Sequence, residues 1–187
     1  MKLQLFTVTY SLILCSFVWS RFSFFESSTQ TSSKVSMLYD SVVVVFIFLS
    51  FRGLYLKSDL PTLNATMALM AIFSSSALFT WSLKSAKGAK IVFNNTVDQL
   101  YTEGAFGFVR HPFYTSYSLT WIGATYAVDY KYLYFPLAYL LVFYLITAIS
   151  EERCILRGKY SEEYLIYRKN VGMFFPRINT WISLVLK

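Results

Sequence analysis

The sequence predicts an all-α fold: a multi-pass membrane bundle of about five transmembrane helices, followed by a short C-terminal cytosolic amphipathic helix. Three observations predict it. Of the 187 residues, 56% are hydrophobic, 20% aromatic and only 14% charged, whereas a soluble domain carries about a quarter charged residues. Four or five apolar stretches approach the roughly 20 residues that cross a bilayer as a helix. The polar interruptions between them are too short to hold a second sizeable domain.

Residues 1–83 carry the first three spans. Leu3 to Trp19 is the first. Lys2 ahead of an apolar core imitates a signal peptide, but Phe17-Val18-Trp19-Ser20-Arg21-Phe22 is too bulky for a small-x-small cleavage site, so a retained helix is expected. Ser23 to Ser36 reads as a polar loop. Leu38 to Leu56 is the second span. Its β-branched run Val42 to Val45 would suit a strand in water, but a lone strand in lipid leaves its amides unpaired, so helix wins. Arg52 near its end reaches the interface by snorkelling. Pro61 opens the third span, to about Leu83, as a first-turn proline does. Its patch Ser74-Ser75-Ser76-Ala77 allows close helix packing.

Residues 84–187 form the second half. Lys84 to Gly107 is the longest polar interruption, with Lys84, Lys87 and Lys90, then Asn94, Asn95, Asp98 and Gln99. The fourth span runs from about Pro112 to Val128, and Asp129-Tyr130-Lys131 breaks it from the fifth, Tyr132 to Ser150. Pro136 lies near the start of that fifth span, where it need not kink the middle. After Glu151-Glu152-Arg153, Tyr160 to Lys169 reads as the short amphipathic helix; Trp181 to Leu186 is apolar but too short to span. Five spans put Arg21, Lys34, the Lys84–Lys90 cluster, Arg110 and the basic tail on one side, against Lys2, Arg52, Lys57 and Lys131 on the other. The positive-inside rule makes the richer side, with the C-terminus, cytoplasmic.

The formal net charge of +7 fits cytoplasmic loops and anionic lipid headgroups rather than nucleic acid, for which no basic, aromatic-interleaved module is present. One His and two well-separated cysteines, Cys15 and Cys154, provide neither a zinc site nor a disulfide framework.

The suspicious polar groups fall into two clusters on the cytoplasmic side: Asp98 to Tyr114 before the fourth span, and Glu151 to Arg153 after the fifth. The short turn at Asp129–Lys131 makes those spans antiparallel neighbours, so the clusters should meet in a pocket. Gly104 and Gly107 would let backbone approach a ligand. Arg110, His111 and the amides after Pro112 would attract a carboxylate or phosphate. Phe106, Phe113 and Tyr114 offer flat faces to a base or a cation. Glu152 could accept from a ribose diol. The competing reading makes Arg110 an interfacial anchor, Glu151 and Glu152 ordinary helix-ending residues, and Tyr160, Tyr164 and Tyr167 packing residues.

Gly104 to Tyr114 resembles the Gly-x-Tyr-x-x-x-Arg-His-Pro-x-Tyr signature of the isoprenylcysteine carboxyl methyltransferase family. Glu151-Glu152 with Tyr160-Ser161-Glu162-Glu163-Tyr164-Leu165-Ile166-Tyr167-Arg168 is similar to its Glu-Glu … Phe-Gly-x-x-Tyr-x-x-Tyr segment, and Gly172-Met173-Phe174-Phe175-Pro176-Arg177 resembles the ending of small bacterial-type members. The match covers about Asp98 to Arg177. The resemblance implies an integral-membrane methyltransferase using S-adenosylmethionine, with a lipidic or membrane-partitioned acceptor. It places Asp98, Gln99, Leu100 and Tyr101 along the cofactor, with Phe106, His111, Pro112, Phe113, Tyr114 and Glu152 as further contacts. Glu152 and Arg110 become the catalytic candidates. The host membrane would be a bacterial inner membrane or the endoplasmic reticulum.

This chain departs from the family at four places. Phe106 replaces a Tyr, Ser161 a Gly, and Ser116 stands where Gly often follows the Arg-His-Pro motif. Ala148 occupies the position, four residues before Glu152, of an Arg that faces the substrate carboxylate in prenylcysteine enzymes. The motif therefore speaks for the methyl donor more than for the acceptor. Three alternatives remain: phospholipid N-methylation within the same class, a sterol-reductase-like NADPH enzyme faintly echoed by Arg153-Cys154 and Lys159-Tyr160, and a non-catalytic membrane protein that keeps the pocket.

Overall fold

A computed structural model describes the backbone of residues 2–23, 25–26, 33–86, 91–92 and 100–177, and the side chains of 2–20, 34–86 and 100–177. The helices are α1 (Lys2–Ser23), α2 (Ser33–Tyr55), α3 (Thr62–Ser85), the single-turn α4 (Ala105–Phe108), α5 (Pro112–Val128), α6 (Tyr134–Leu156) and α7 (Ser161–Asn170). A short 3₁₀ turn, Lys131–Leu133, joins α5 to α6. Phe25–Glu26 pairs in parallel with Ile91–Val92. Among the described residues, four segments are long and apolar enough to cross a bilayer: Lys2–Ser20, Lys34–Tyr55, Thr62–Ser85 and Lys131–Leu156. This marks a membrane protein.

α5 is the exception among the long helices. Its 17 residues reach about 26 Å at 1.5 Å per residue, just short of a hydrocarbon core of about 30 Å. It is enclosed rather than lipid-facing. Most of its side chains are buried, including the polar Ser116, Thr120 and Thr125, whereas α2 exposes Val44, Val45 and Phe48 and α3 exposes Met67, Met70 and Phe73. A helix walled by other helices need not be uniformly apolar, because protein groups satisfy its polar side chains. The Ser75 hydroxyl of α3 donates to the Ser116 carbonyl at 2.6 Å and lies 2.8 Å from Thr120 Oγ1. Gly123 meets Ala68 and Ala71 across the same seam.

The core collects Phe6, Tyr10 and Phe17 of α1, Phe46 of α2, Ile72 and Phe79 of α3, Trp121 of α5, and Leu140 and Tyr144 of α6. Phe17 packs edge-on against Phe79 and Tyr117, and Phe6 stacks on Tyr10. Arg52 sits in the last turn of α2, as read from the sequence. Pro112 occupies the first turn of α5, and Asp129 ends that helix in the left-handed conformation at φ 44°.

Three boundaries differ from the sequence reading. α1 runs on to Ser23 rather than ending at Trp19. α2 begins at Ser33 rather than Leu38, adding more than a turn of Ser, Lys and Val that hydropathy assigned to the loop. More consequentially, α6 does not stop at Ser150 but continues to Leu156, so Glu151 and Glu152 are helical residues rather than residues past its end. Charged residues end an apolar run without ending a helix when packing partners await them. The expected apolar segment Trp181–Leu186 lies outside the described residues.

Candidate functional site

α5 and α6 are antiparallel across the turn at residues 129–133, which brings the start of α5 beside the last turns of α6. α7 folds back against that end. Residues Leu140, Tyr144, Ala148 and Glu152 recur every fourth position along the buried face of α6. This stripe aims the Glu152 carboxylate at the residues preceding α5. The 171–177 segment completes the site by running alongside them: Arg110 N donates to the Gly172 carbonyl at 2.8 Å and His111 N to that of Met173 at 3.1 Å.

The two polar clusters meet in one buried ionic network. Arg110 Nε donates to Glu152 Oε1 at 2.9 Å, and His111 Nε2 lies 3.2 Å from the same oxygen. Arg168 Nε of α7 stands 3.6 Å from Glu152 Oε2. Arg110 also donates to the carbonyls of Val171 and Arg168. Glu151 is served separately: the Tyr114 hydroxyl donates to its Oε1 at 2.5 Å, and His111 Nδ1 is 3.5 Å from its Oε2. His111 thus bridges both carboxylates. Burial alone would lower the imidazole pKa, but hydrogen bonds to Glu151 and Glu152 and their negative charges outweigh it, so the net shift is upward.

Exposure separates the two acids. The Glu152 side chain is 4% exposed, that of Glu151 33% and that of Arg168 48%. The Arg110–Glu152 pair is closed off from solvent, whereas Glu151 and Arg168 keep exposed faces. The sequence reading made Glu152 and Arg110 the catalytic candidates, and here they hold each other. The anion that Arg110 attracts is supplied by the chain itself.

The remaining sequence-derived candidates form an aromatic and apolar wall. The rings of Tyr101 and Phe106 lie 5.6 Å apart, and Phe106 is 6.2 Å from Phe113, which contacts Phe79 in the core. Leu100 packs on the Tyr164–Tyr167–Val171 cluster. Pro112 is fully buried in the first turn of α5, and Tyr114 stacks between His111 and Tyr144 at 5.7 and 5.4 Å. Asp98 and Gln99 lie outside the described residues.

Gly104 does not open a path for a ligand. It adopts φ +62°, and an added Cβ would fall 2.3 Å from Ser85 Oγ, which accepts from Ala105 N. The glycine serves a left-handed turn against α3.

Sequence reasoning quoted Arg168 in the family-like segment without giving it a role, and weighed Tyr164 and Tyr167 as packing residues. Both tyrosines are buried on the inner face of α7, and the Tyr167 hydroxyl donates to the Phe106 carbonyl at 2.6 Å. Burial raises both phenol pKa values above the usual range, with the Glu152 carboxylate adding to the shift, so they remain neutral donors at physiological pH. The stripe 164, 167, 171 was a readable signal, at helical spacing and continuing past the helix end.

Ala148 is fully buried one turn below Glu152. No protein-family model and no curated protein matches the chain.

Proposed function

We propose that the chain is an integral-membrane methyltransferase that uses S-adenosylmethionine and acts on a lipidic acceptor. The observation that carries the reading is the convergence of Arg110-His111 with Glu151-Glu152 at one end of the α5–α6 pair. They belong to two of the three motifs on which the family resemblance rests. In this reading α5 is a fifth span, α7 is a short cytosolic helix, and the site opens to the cytoplasm, the side rich in Lys and Arg.

The donor set suits a zwitterionic amino acid joined to a nucleoside. Glu151 would hold the ammonium, Arg168 the carboxylate, and Tyr101 with Phe106 the flat base. Bound there, the cofactor would supply a methyl group on an electrophilic sulfonium. The chain's contribution is alignment and exclusion of water: the Arg110–Glu152 pair fixes α7 across the site, and Tyr114 holds Glu151 in place. A carboxylate acceptor would need no base, but with Ala148 in place of a cation nothing at that position selects one. A hydroxyl or amine acceptor would need deprotonation, for which His111 and the carboxylates it bridges would be the candidates.

Binding of S-adenosylmethionine and of NADPH to the purified full chain in detergent tests the reading. Binding of the first and not the second is expected. Glu151→Gln should weaken it at least tenfold with a smaller fall in melting temperature than Glu152→Gln gives, because the Glu151 side chain is 33% exposed whereas that of Glu152 is 4%. Radiolabelled donor added to whole membranes should label a lipid extract. Binding without transfer to any extract would favour a non-catalytic protein, and absence of donor binding would reject the proposal.

A further inference from the structure

We infer that the C-terminal end of α7 and the segment after it form an anchoring surface for anionic phospholipid in the adjacent leaflet. Only residues 157–160 separate α6 from α7, so α7 is held at the mouth of the helical bundle, at headgroup depth. Its inner face is occupied by Tyr164 and Tyr167. On the other side Leu165 and Ile166 are exposed, Ile166 to 65%, and Phe175 is 83% exposed.

Phe175 is not on a loose tail. The carbonyls of Gly172, Met173 and Phe174 accept from Arg110 N, His111 N and Thr115 Oγ1 respectively. The ring is thereby presented outward by a segment tied to the start of α5.

Cations gather around this apolar patch. Arg168 and Lys169 lie in the last turn of α7, and the Arg177 guanidinium donates to the Lys169 carbonyl. The acids of the helix, Glu162 and Glu163, sit in its first turn at the opposite end. Charge is therefore divided along α7, and its basic end coincides with the exposed apolar side chains. Apolar side chains rimmed by Lys and Arg at headgroup depth match an anionic lipid surface in both polarity and charge. A zwitterionic surface would satisfy only the apolar part.

The anchor acts on the site as well. Arg168 reaches Glu152 Oε2, and Arg110 donates to the carbonyls of Arg168 and Val171. Holding this end of α7 in the leaflet holds the lid of the ionic network.

The full chain reconstituted in lipid nanodiscs, with phosphatidylcholine alone or mixed with phosphatidylglycerol, provides the test. Amide hydrogen exchange over residues 161–177 should slow when the anionic lipid is present. Lys169→Gln and Arg177→Gln should each remove roughly fivefold of that added protection. Nitroxide labels at positions 166 and 175, in a C15S/C154S background, should be reached by oxygen and shielded from a water-soluble nickel complex. Equal exchange in both lipids, or labels open to nickel, overturns the inference. So does protection that appears only with two copies per disc, which would assign the patch to self-association. The wild-type exchange comparison needs no variant and no methyl transfer, so it fails or succeeds independently of the proposed activity.

Discussion

Arg110, His111 and Arg168 all direct nitrogen atoms at the carboxylate of Glu152, in a site where the Arg110 and Glu152 side chains are 6% and 4% exposed. Removing Glu152 leaves Arg110 as a buried charge without a carboxylate, which costs about 3–5 kcal/mol. Glu152→Ala should therefore lower stability by that amount in denaturant melts of detergent-solubilised protein, and Arg110→Ala by less, because His111 and Arg168 still face the Glu152 carboxylate. The double variant should recover a large part of the loss, since it removes both charges together. His111 adds a pH dependence. Its folded pKa lies above the unfolded value of about 6.5. The stabilisation it contributes is complete below about pH 6.5 and fades as pH rises through the folded value. Melting temperatures measured across pH 5 to 9 should fall on the alkaline side, and His111→Asn should flatten that part of the profile. Arg110, His111 and Glu152 were legible because charges stand out in an apolar chain. Tyr114 with Glu151, and Arg168 with Glu152, were not, since no local pattern encodes pairs 37 and 16 residues apart.

Helix α5 depends on close approach to α3. A Cβ placed on Gly123 would lie 3.0 Å from the Ala71 Cβ and 3.4 Å from the Ala68 carbonyl. Gly123→Leu has to separate the helices and should destabilise by about 1–3 kcal/mol, read in the same melts, while Gly123→Ala needs only a shift of a few tenths of an ångström. The Ser75 hydrogen bonds one to two turns closer to the site would be strained by the larger residue. At this scale the sequence was informative: hydropathy located all five long helices, and Pro112 marked the start of α5. Helix ends were less visible where polar residues remain helical. Ser33 to Met37 and Glu151 to Leu156 are helical yet carry no apolar run. Position 152 shows why: a carboxylate met by three basic side chains does not need water, so the helix has no cause to end there.

The whole molecule is organised by which end of the bundle carries the charges. Ser23, Ser33, Ser85, Pro112 and Leu156 are the helix ends on one side, and Lys2, Tyr55, Thr62, Val128 and Tyr134 those on the other. The Lys2 ammonium donates to Thr62 Oγ1, and Gly53 packs against Val128 and Tyr130, both at the second end. The first end holds the ionic network and α7. Because Lys and Arg are concentrated there, it should face the cytoplasm. With α5 counted as a span, Lys57 and Lys131 lie on the opposite side from Lys159 and Arg177. Single cysteines at these four positions, in a background without Cys15 and Cys154, give the decisive readout in intact cells. A membrane-impermeant maleimide should label positions 57 and 131 from outside, and positions 159 and 177 only after the membrane is opened. If α5 were instead buried without crossing, Lys131 would lie opposite Lys57, and because α6 still spans, positions 159 and 177 would label from outside together with 57. The packing of Tyr130 on Gly53 weighs against that outcome, since it ties the α5–α6 turn to the end of α2.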